Sequence, residues 1–486
     1  MDKTTILKER FGYESFRLGQ SEIIDAVLDP NVNGVLGIFP TGAGKSLIFQ
    51  IPSLMKSELS IVVSPLISLM KDQVDTLKKK GVAAEFFNSS LTEKEKKSVI
   101  NSIQLGIVEI LYVAPERFDD KPFVDMLKSI GVNIFAVDEA HSISQWGHDF
   151  RPSYRRLRDI QNYIKPKQII AVTATATKFV QDDICIQLGI PNAKKFINGF
   201  YRENLSIKIR ECTADRTLEV CGQIAQYHKK GINTGVVYTG TKKDAEKISY
   251  ELNSCYSVPT AFYHAGMTPD ERETIQNEWF KNGGNIVATC AFGMGIDKAD
   301  VRYVVHASMP GNLESWYQEI GRAGRDGELS VCKMFIDFNK DYFLQNYFIN
   351  LSCPSVETVE TFWYWLNNQA RKNERISLPQ KEMGRLAGIE PSFVSSSIAA
   401  IRSCGLISQV GKGDYIVKHK SDKNFTLNLN ALTERRNNKK ARLQDMISFI
   451  KNKSQCRMLS ILHYFGDRNR TDRCGKCDVC QLEKKP

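Results

Sequence analysis

The stretch VLGIFPTGAGKS, residues 35–46, decides how this 486-residue chain is read. A short apolar run ends in a turn of small residues, and Lys45 and Ser46 follow at once. Such a turn lets backbone N–H groups wrap a phosphate, the lysine reaches the outer phosphates, and the hydroxyl ligates Mg²⁺. Thr41, Gly42, Gly44, Lys45 and Ser46 are therefore candidate nucleotide-binding residues. The strict pattern G-x-x-x-x-G-K-[ST] is not met, because Phe39 holds its first glycine position, but the T-G-x-G-K-S core is.

The apolar run is the first of a series. VLGIF (35–39), SIVVSP (60–65), EILYVAP (109–115), NIFAVDEA (133–140) and QIIAVTAT (168–175) alternate with polar amphipathic stretches. Continuous apolar strands separated by helices predict a parallel sheet covered on both faces. The rhythm restarts with TGVVYTG (234–240), PTAFYHAG (259–266), GNIVATC (284–290), VRYVVHAS (301–308) and SVCKMFID (330–337). Two α/β lobes in tandem follow, with a boundary near 200–210 and an end near 345. Residues 350–375 read as helical around WYWL (363–366). Pro379 can start a helix that Gly388 stops, and Pro391 starts another with Val394, Ile398 and Ile401 on one face. Gly405 ends it, and LISQV-GKGD-YIVK reads as a hairpin. Helix, turn, helix, hairpin is a winged-helix pattern over about 377–420; a docking module without a nucleic-acid role is the alternative.

The net charge of +11 is unevenly placed. Residues 1–350 hold 42 basic and 42 acidic side chains, whereas residues 351–486 hold 24 and 13. A neutral engine with a basic appendage points to phosphate backbones as partner, against a merely solvated face. No run of eighteen apolar residues predicts a membrane span. The N-terminal stretch lacks an apolar signal core, so the protein is expected in the cytoplasm; the compact form without targeting tails points to a bacterial, nucleoid-associated protein. Eight of the twelve cysteines (185, 212, 221, 255, 290, 332, 353 and 404) are scattered singly and read as small buried hydrophobes.

Two further motifs complete a chemical set. Asp138 and Glu139 end the apolar run IFAV; a phosphate-loop enzyme needs one acid on the metal and another to orient the attacking water, and these suit the two tasks in that order. In QEIGRAGRDG (318–327), Arg322 and Arg325 are three apart and would share one side of a helical turn. The economical reading puts ATP and Mg²⁺ between the lobes, with Gln318, Arg322 and Arg325 completing the site; a surface salt-bridged helix is the alternative. The loop after the acids carries Trp146, His148, Phe150 and Arg151. Its aromatics can stack on bases without choosing among them, and Arg151 can hold a phosphate. Core packing is the other reading of Trp146.

These motifs, in this order, resemble superfamily-two helicases of the RecQ type over residues 7 to about 337 and again at the C-terminus. LKERFGYESFRLGQ (7–20) resembles the family's adenine-reading motif. It implies that Tyr13 and Arg17 sandwich the base and that Gln20 reads its edge. VVSPLISLMKDQV (62–74), YVAPERF (112–118), TATAT (173–177), YHAGM (263–267) and ATCAFGMGIDKADVRYVVH (288–306) are similar to the successive strand-contact and coupling motifs; Asp297 falls in the last and is assigned with the nucleotide-binding residues. SISQWGHDFRPSY (142–154) resembles the aromatic-rich loop that touches single-stranded DNA. The fold expected is α/β: two tandem RecA-like parallel-sheet lobes (1–205 and 206–345), then a mostly helical C-terminal region with a winged-helix-like domain (346–430) and a zinc-binding module (431–486).

Cys456, Cys474, Cys477 and Cys480 have the thiolate number and spacing of a closed tetrahedral Zn²⁺ site, with a redox pair as rival. The resemblance also implies a four-cysteine zinc module, and His463 is a substitute ligand only if a cysteine drops out. In the commoner family arrangement the zinc module precedes the winged helix; here the order is reversed. The short GKGD wing puts strand separation by a long wing in doubt, and a further helical nucleic-acid-binding domain is not expected. The basic run RRNNKKAR (435–442) offers DNA contacts or a solvated helix face. The expected protein is an ATP-dependent DNA helicase acting as a monomer on single-stranded and forked DNA, without a membrane. The resemblance implies 3′→5′ movement and a role in DNA repair and recombination. The rivals are a motor that remodels bound protein without separating strands, and a non-enzymatic relic, against which Lys45, Glu139 and Arg325 speak.

Overall fold

The computed structural model describes the chain except residues 1, 18, 41, 57, 145, 146, 148–150, 213, 294–297, 370–374, 412, 419–426, 469 and 483–486. It divides into two compact units. One comprises residues 1–308, 313–336 and 452–486; the other comprises 309–312 and 337–451. Among the described residues no helix is long and apolar enough to cross a membrane.

The first unit holds two sheets. Strands β1 (Val35–Ile38), β2 (Ser60–Val63), β3 (Ala84–Phe87), β4 (Ile110–Val113), β5 (Ile134–Val137), β6 (Gln168–Thr173) and β7 (Lys194–Ile197) pair in the order β3-β4-β2-β5-β6-β1-β7. Every pairing is parallel, with Val35 opposite Ile170 and Ile134 opposite Gln168. Of the five inner strands, β1, β2, β4 and β5 are buried at every position and β6 at all but one, as a sheet covered on both faces requires. The second sheet contains β8 (Leu205–Glu211), β9 (Gly235–Tyr238), β10 (Thr260–Tyr263), β11 (Asn285–Ala288), β12 (Tyr303–His306) and β13 (Ser330–Ile336), ordered β10-β11-β9-β12-β13-β8 and again all parallel. Capping boxes at Thr92/Glu95 and Thr268/Glu271 start two of the covering helices.

Parallel strands put their carboxyl ends on one edge, and ligands of open α/β sheets sit there. The tips of β1 and β5 lie on either side of β6, so the phosphate-type turn and the two acids emerge side by side.

In the second unit, β14 (Arg375–Ser377), β15 (Ile407–Gly411) and β16 (Asp414–Val417) form an antiparallel sheet in the order β14-β16-β15. Helices Gln380–Ala387 and Val394–Ser403 precede the hairpin. Val394, Ile398 and Ile401 are buried together with Trp363, Ile376 and Val417. Gly388 and Gly405 sit at positive φ just past the helices, where glycine ends a helix without strain. The Asp414 carboxylate accepts from Arg375 and Ser377, tying the hairpin to the added strand β14. The helix Asn430–Lys451 belongs to this unit, and the four clustered cysteines to the other.

Two expectations are corrected. Arg322 and Arg325 do not share a helical turn: the helix Leu313–Ile320 stops before them, because Gly321 follows it and Gly324 takes a positive φ of 56°. The scattered cysteines are not uniformly buried. Cys185, Cys221, Cys332 and Cys353 are, but Cys255 and Cys290 are exposed and Cys212 and Cys404 are intermediate. Cys255 lies in the last turn of the helix Lys242–Tyr256 and Cys290 in the turn after β11, so neither position is covered as a strand is.

Candidate active site

A cavity of about 710 Å³ opens at the carboxyl edge of the first sheet, within the size range of ligand sites. Its lining joins Gly42, Gly44, Lys45 and Ser46 after β1, Asp138 and Glu139 after β5, and Gln318, Arg322 and Arg325 from beyond β12. Tyr13, Arg17 and Gln20 line it as well. Thr41 and Asp297 lie outside the described residues.

Lys45 and Ser46 open the helix Lys45–Leu54, whose N-terminus presents the positive end of the helix dipole. Gly44 caps it at φ 75°, and a Cβ there would lie 2.6 Å from the Gln20 amide nitrogen. That nitrogen donates to the carbonyls of Ala43 (2.9 Å) and Gly44 (3.1 Å), and the Gln20 amide oxygen accepts the Arg17 backbone N–H at 2.8 Å. The Arg17 guanidinium donates to the Gly42 carbonyl. Arg17 and Gln20 thus brace the turn directly, and Tyr13 stands 52% exposed beside them. A Cβ on Gly42 would meet the Arg325 side chain at 3.3 Å, which places the stem of Arg325 against the turn.

The Asp138 carboxylate accepts the Glu139 backbone N–H at 2.9 Å. Burial, and then the Glu139 charge, push its carboxyl up to about 7, while Lys45 pulls the other way. A divalent cation on this carboxylate would reverse the balance. Glu139 is held in the left-handed region at φ 46°, ψ 46°. Its carboxylate lies 3.3 Å from His141 Nδ1, and the same nitrogen is 2.8 Å from the Thr173 hydroxyl at the end of β6. Two residues on, the Thr175 hydroxyl accepts from the Gln318 amide at 3.2 Å. The acids and the second sheet therefore meet through the TATAT segment, a contact no single motif announces.

Arg322 is 5% exposed and lies against Tyr238 at the tip of β9. His306 Nε2 is 2.8 Å from the Glu319 carboxylate, which fixes the end of the helix Leu313–Ile320 that precedes the arginine turn. Of the aromatic loop, Trp146, His148 and Phe150 lie outside the described residues. The Arg151 guanidinium donates to the Pro65 carbonyl at 2.9 Å, and the buried Tyr154 donates to the Asp138 carbonyl at 3.2 Å. The loop's trailing end is thereby tied to the acid-bearing strand.

Cys456, Cys474, Cys477 and Cys480 bring their Sγ atoms within 4.8 Å of one another. The Cys456 and Cys477 sulfurs are 4.0 Å apart. Tetrahedral Zn–S bonds of about 2.3 Å put sulfurs about 3.8 Å apart, so the donor set fits a zinc ion. The buried Arg457 forks onto the Asp478 carboxylate at 3.0 and 2.9 Å, joining the two cysteine-bearing segments. His463 is exposed, pairs with Gln455 and stands outside the cluster.

The DEAD/DEAH box helicase model matches residues 17–183, the helicase conserved C-terminal domain model residues 216–327, and the RecQ zinc-binding model residues 414–481. The probable ATP-dependent DNA helicase RecS of Bacillus subtilis is 36% identical over 371 residues, covering 76% of this chain and 73% of that one. The chain belongs to the RecQ family of superfamily-two helicases. ATP-dependent DNA helicases RecQ of Bacillus subtilis and Haemophilus influenzae are 43% and 42% identical, over 72% and 68% of this chain. The match spans 58% and 53% of those two RecQ proteins, so the chain matches little more than half their length. The two RecA-like lobes also resemble solved helicases: MrfA bound to DNA (TM-score 0.58, 16% identity, 88% of this chain and 64% of that one) and Saccharomyces cerevisiae Dbp5 bound to RNA and ADP BeF3 (TM-score 0.56, 18% identity, 72% and 91%). At these identities the likeness is one of fold. The zinc-binding match begins at Asp414, inside the hairpin of the three-stranded sheet, so this RecQ chain carries that sheet ahead of its cysteines.

Proposed function

We propose that the chain is an ATP-dependent DNA helicase that couples ATP hydrolysis to movement along single-stranded DNA and to duplex unwinding. One observation carries the reading: a single cavity collects the phosphate-type turn, two acids and two arginines from both sheets. Tyr13 and Arg17 offer flat faces for the base, and Gln20 its edge. The turn and Lys45 hold the phosphates; Ser46 and Asp138 would hold Mg²⁺, which supplies charge neutralisation on the phosphate oxygens when bound. Glu139, steadied by His141, orients a water on the γ-phosphorus. As the new P–O bond forms, the bond to the bridging oxygen breaks, and Arg322 and Arg325 face the charge that develops. Gln318, bonded to Thr175, reports closure of the second sheet on the first. Trp146, His148, Phe150 and Arg151 couple that closure to DNA.

Family membership supports 3′→5′ polarity and service in repair and recombination; forked DNA as substrate, action as a monomer and a bacterial cytoplasm near the nucleoid belong to the same proposal, the last supported by the bacterial relatives. The short β15–β16 hairpin favours one second reading, a motor that remodels bound protein without separating strands. The test is ATP turnover with no nucleic acid, single-stranded DNA or single-stranded RNA, for wild type and Trp146→Ala, beside unwinding of a forked duplex. Strong stimulation by DNA that Trp146→Ala loses, with fork unwinding, is the expected result. Equal stimulation by RNA overturns the substrate, and turnover without unwinding selects the second reading.

A further inference from the structure

Residues 198–204 join β7 to β8 and so link the two sheets. One side of this link grips the turn that carries the arginines. The Arg202 guanidinium donates to the carbonyls of Ala323 and Gly324, each at 2.9 Å, and reaches that of Gly321 at 3.4 Å. The Asn204 amide donates to the carbonyls of Gly324 (2.7 Å) and Glu328 (2.9 Å). The turn's own N–H groups are satisfied elsewhere, Arg322 on Glu319, Ala323 on Ile320 and Gly324 on Val301. The Gly324 carbonyl also accepts the Gly327 N–H at 3.1 Å, and the link adds donors from outside the turn to it and to the Ala323 carbonyl.

The other side of the link is covered by the cysteine segment. Phe465 is fully buried and stacks on Phe200, with centroids 4.8 Å apart and planes at 17°. Its ring also lies 5.3 Å from that of Tyr317, whose hydroxyl donates to the Phe200 carbonyl at 2.7 Å. Arg470 stands 3.9 Å over the Tyr201 ring, Lys476 donates to the Glu203 carbonyl, and Ser206 donates to the Lys476 carbonyl at 3.0 Å. Gln181, on the helix after β6, reaches the Phe465 carbonyl at 3.4 Å.

We propose that the link and the cysteine segment together set the arginine turn: Arg202 is a positioning residue for Arg322 and Arg325, and Phe465 holds the backbone from which Arg202 reaches. A planar guanidinium can bind two neighbouring carbonyls at once and fix the direction of the loop between them, which a single ammonium cannot. An aromatic pair prefers a stacked or edge-on geometry and adds to the burial of its area, which a branched aliphatic side chain in the same place does not. The cysteine segment therefore acts on ATP turnover without touching nucleotide. The proposal rests on the ATPase reading above for its kinetic consequence, but not for its structural one.

The full chain is compared as wild type, Arg202→Ala, Arg202→Lys, Phe465→Leu, Arg325→Ala and the Arg202→Ala/Arg325→Ala double variant. In hydrogen exchange, Arg202→Ala should speed residues 321–327 by about tenfold or more and leave residues 42–46 as in wild type, with Phe465→Leu changing the same peptide less. In DNA-stimulated turnover, Arg202→Ala should lower kcat by roughly tenfold or more with KM for ATP held within about twofold, and Arg202→Lys should recover part of it. The double variant should be no slower than Arg325→Ala alone, because a positioning residue has nothing left to position. Unchanged exchange at 321–327 overturns the proposal, as does a double variant whose losses multiply. If wild type hydrolyses no ATP, or Arg325→Ala turns over like wild type, the reading of the pocket falls, and the exchange data alone decide whether Arg202 sets the turn.

Discussion

The candidate nucleotide pocket and the cysteine cluster are both sites of converging side chains, but they converge by different means. The pocket gathers residues from Tyr13 to Arg325, and what brings them together is strand order: β1 and β5 on either side of β6, and a turn from the second sheet laid against Gly42. The cluster gathers Cys456 to Cys480 within one short segment, steadied by the Arg457–Asp478 fork. A site assembled by topology can lose a side chain and keep its fold. A site assembled by its own ligands is more exposed to such a loss, because the ion would be what holds Cys456 to the stretch 474–480.

Four changes press on that difference. Arg325→Ala should have the largest effect, lowering kcat on the order of 10³-fold while far-UV circular dichroism and the melting midpoint stay at wild type; a matching fall in stability would mean that the pocket is structural as well. Cys477→Ser should do the reverse. Bound zinc, measured by metal analysis, should fall from one ion per chain to near none, and limited proteolysis should cut within 452–482 while a fragment with the first sheet survives. Gly44→Ala tests how far the turn of the pocket is also structural, since it forces a side chain into a left-handed position against Gln20; a loss of about 1–3 kcal/mol in urea unfolding, with a raised KM for ATP, is expected. Arg436→Ala should be mildest. Arg436 donates to the Cys353 carbonyl at 2.6 Å and Lys439 to the Ser352 hydroxyl at 2.7 Å, so both cap the end of the helix Phe338–Ser352. A loss of about 0.5–1 kcal/mol with little change in DNA affinity is the expected outcome; a large drop in affinity would return the basic run to the DNA-binding surface. Burial also lowers the Lys439 ammonium below its usual range, as befits a lysine facing protein.

Which strands were legible follows from where they sit. The central strands are runs such as ILYV and IFAV that need no partner to be recognised. The strands that escaped notice, β3, β7, β8 and β14, all lie at sheet edges, and they carry Glu85, Lys194, Lys195, Lys208, Arg210 and Arg375. Charge on an edge strand discourages pairing with another chain, and the same charge hides the strand from a search for apolar runs. The pocket was legible because its chemistry demands particular residue types at strand tips. Arg202 and Phe465 were not, because a guanidinium on backbone carbonyls or a ring on a ring leaves no spacing to read. The misplacement of Arg322 and Arg325 on a helix came from counting three residues apart without weighing the glycines between and before them.

Glu139 shows where chemistry and folding pull apart. Its backbone conformation, φ 46° and ψ 46°, costs a residue with a Cβ about 1–2 kcal/mol, and glycine or asparagine would adopt it more easily. Directed evolution for heat resistance alone would therefore drift toward those residues at position 139 and deliver sturdier proteins without the carboxylate that sits beside His141. The twist that aims this carboxylate makes the position one that only selection for work, and not selection for endurance, would keep as glutamate.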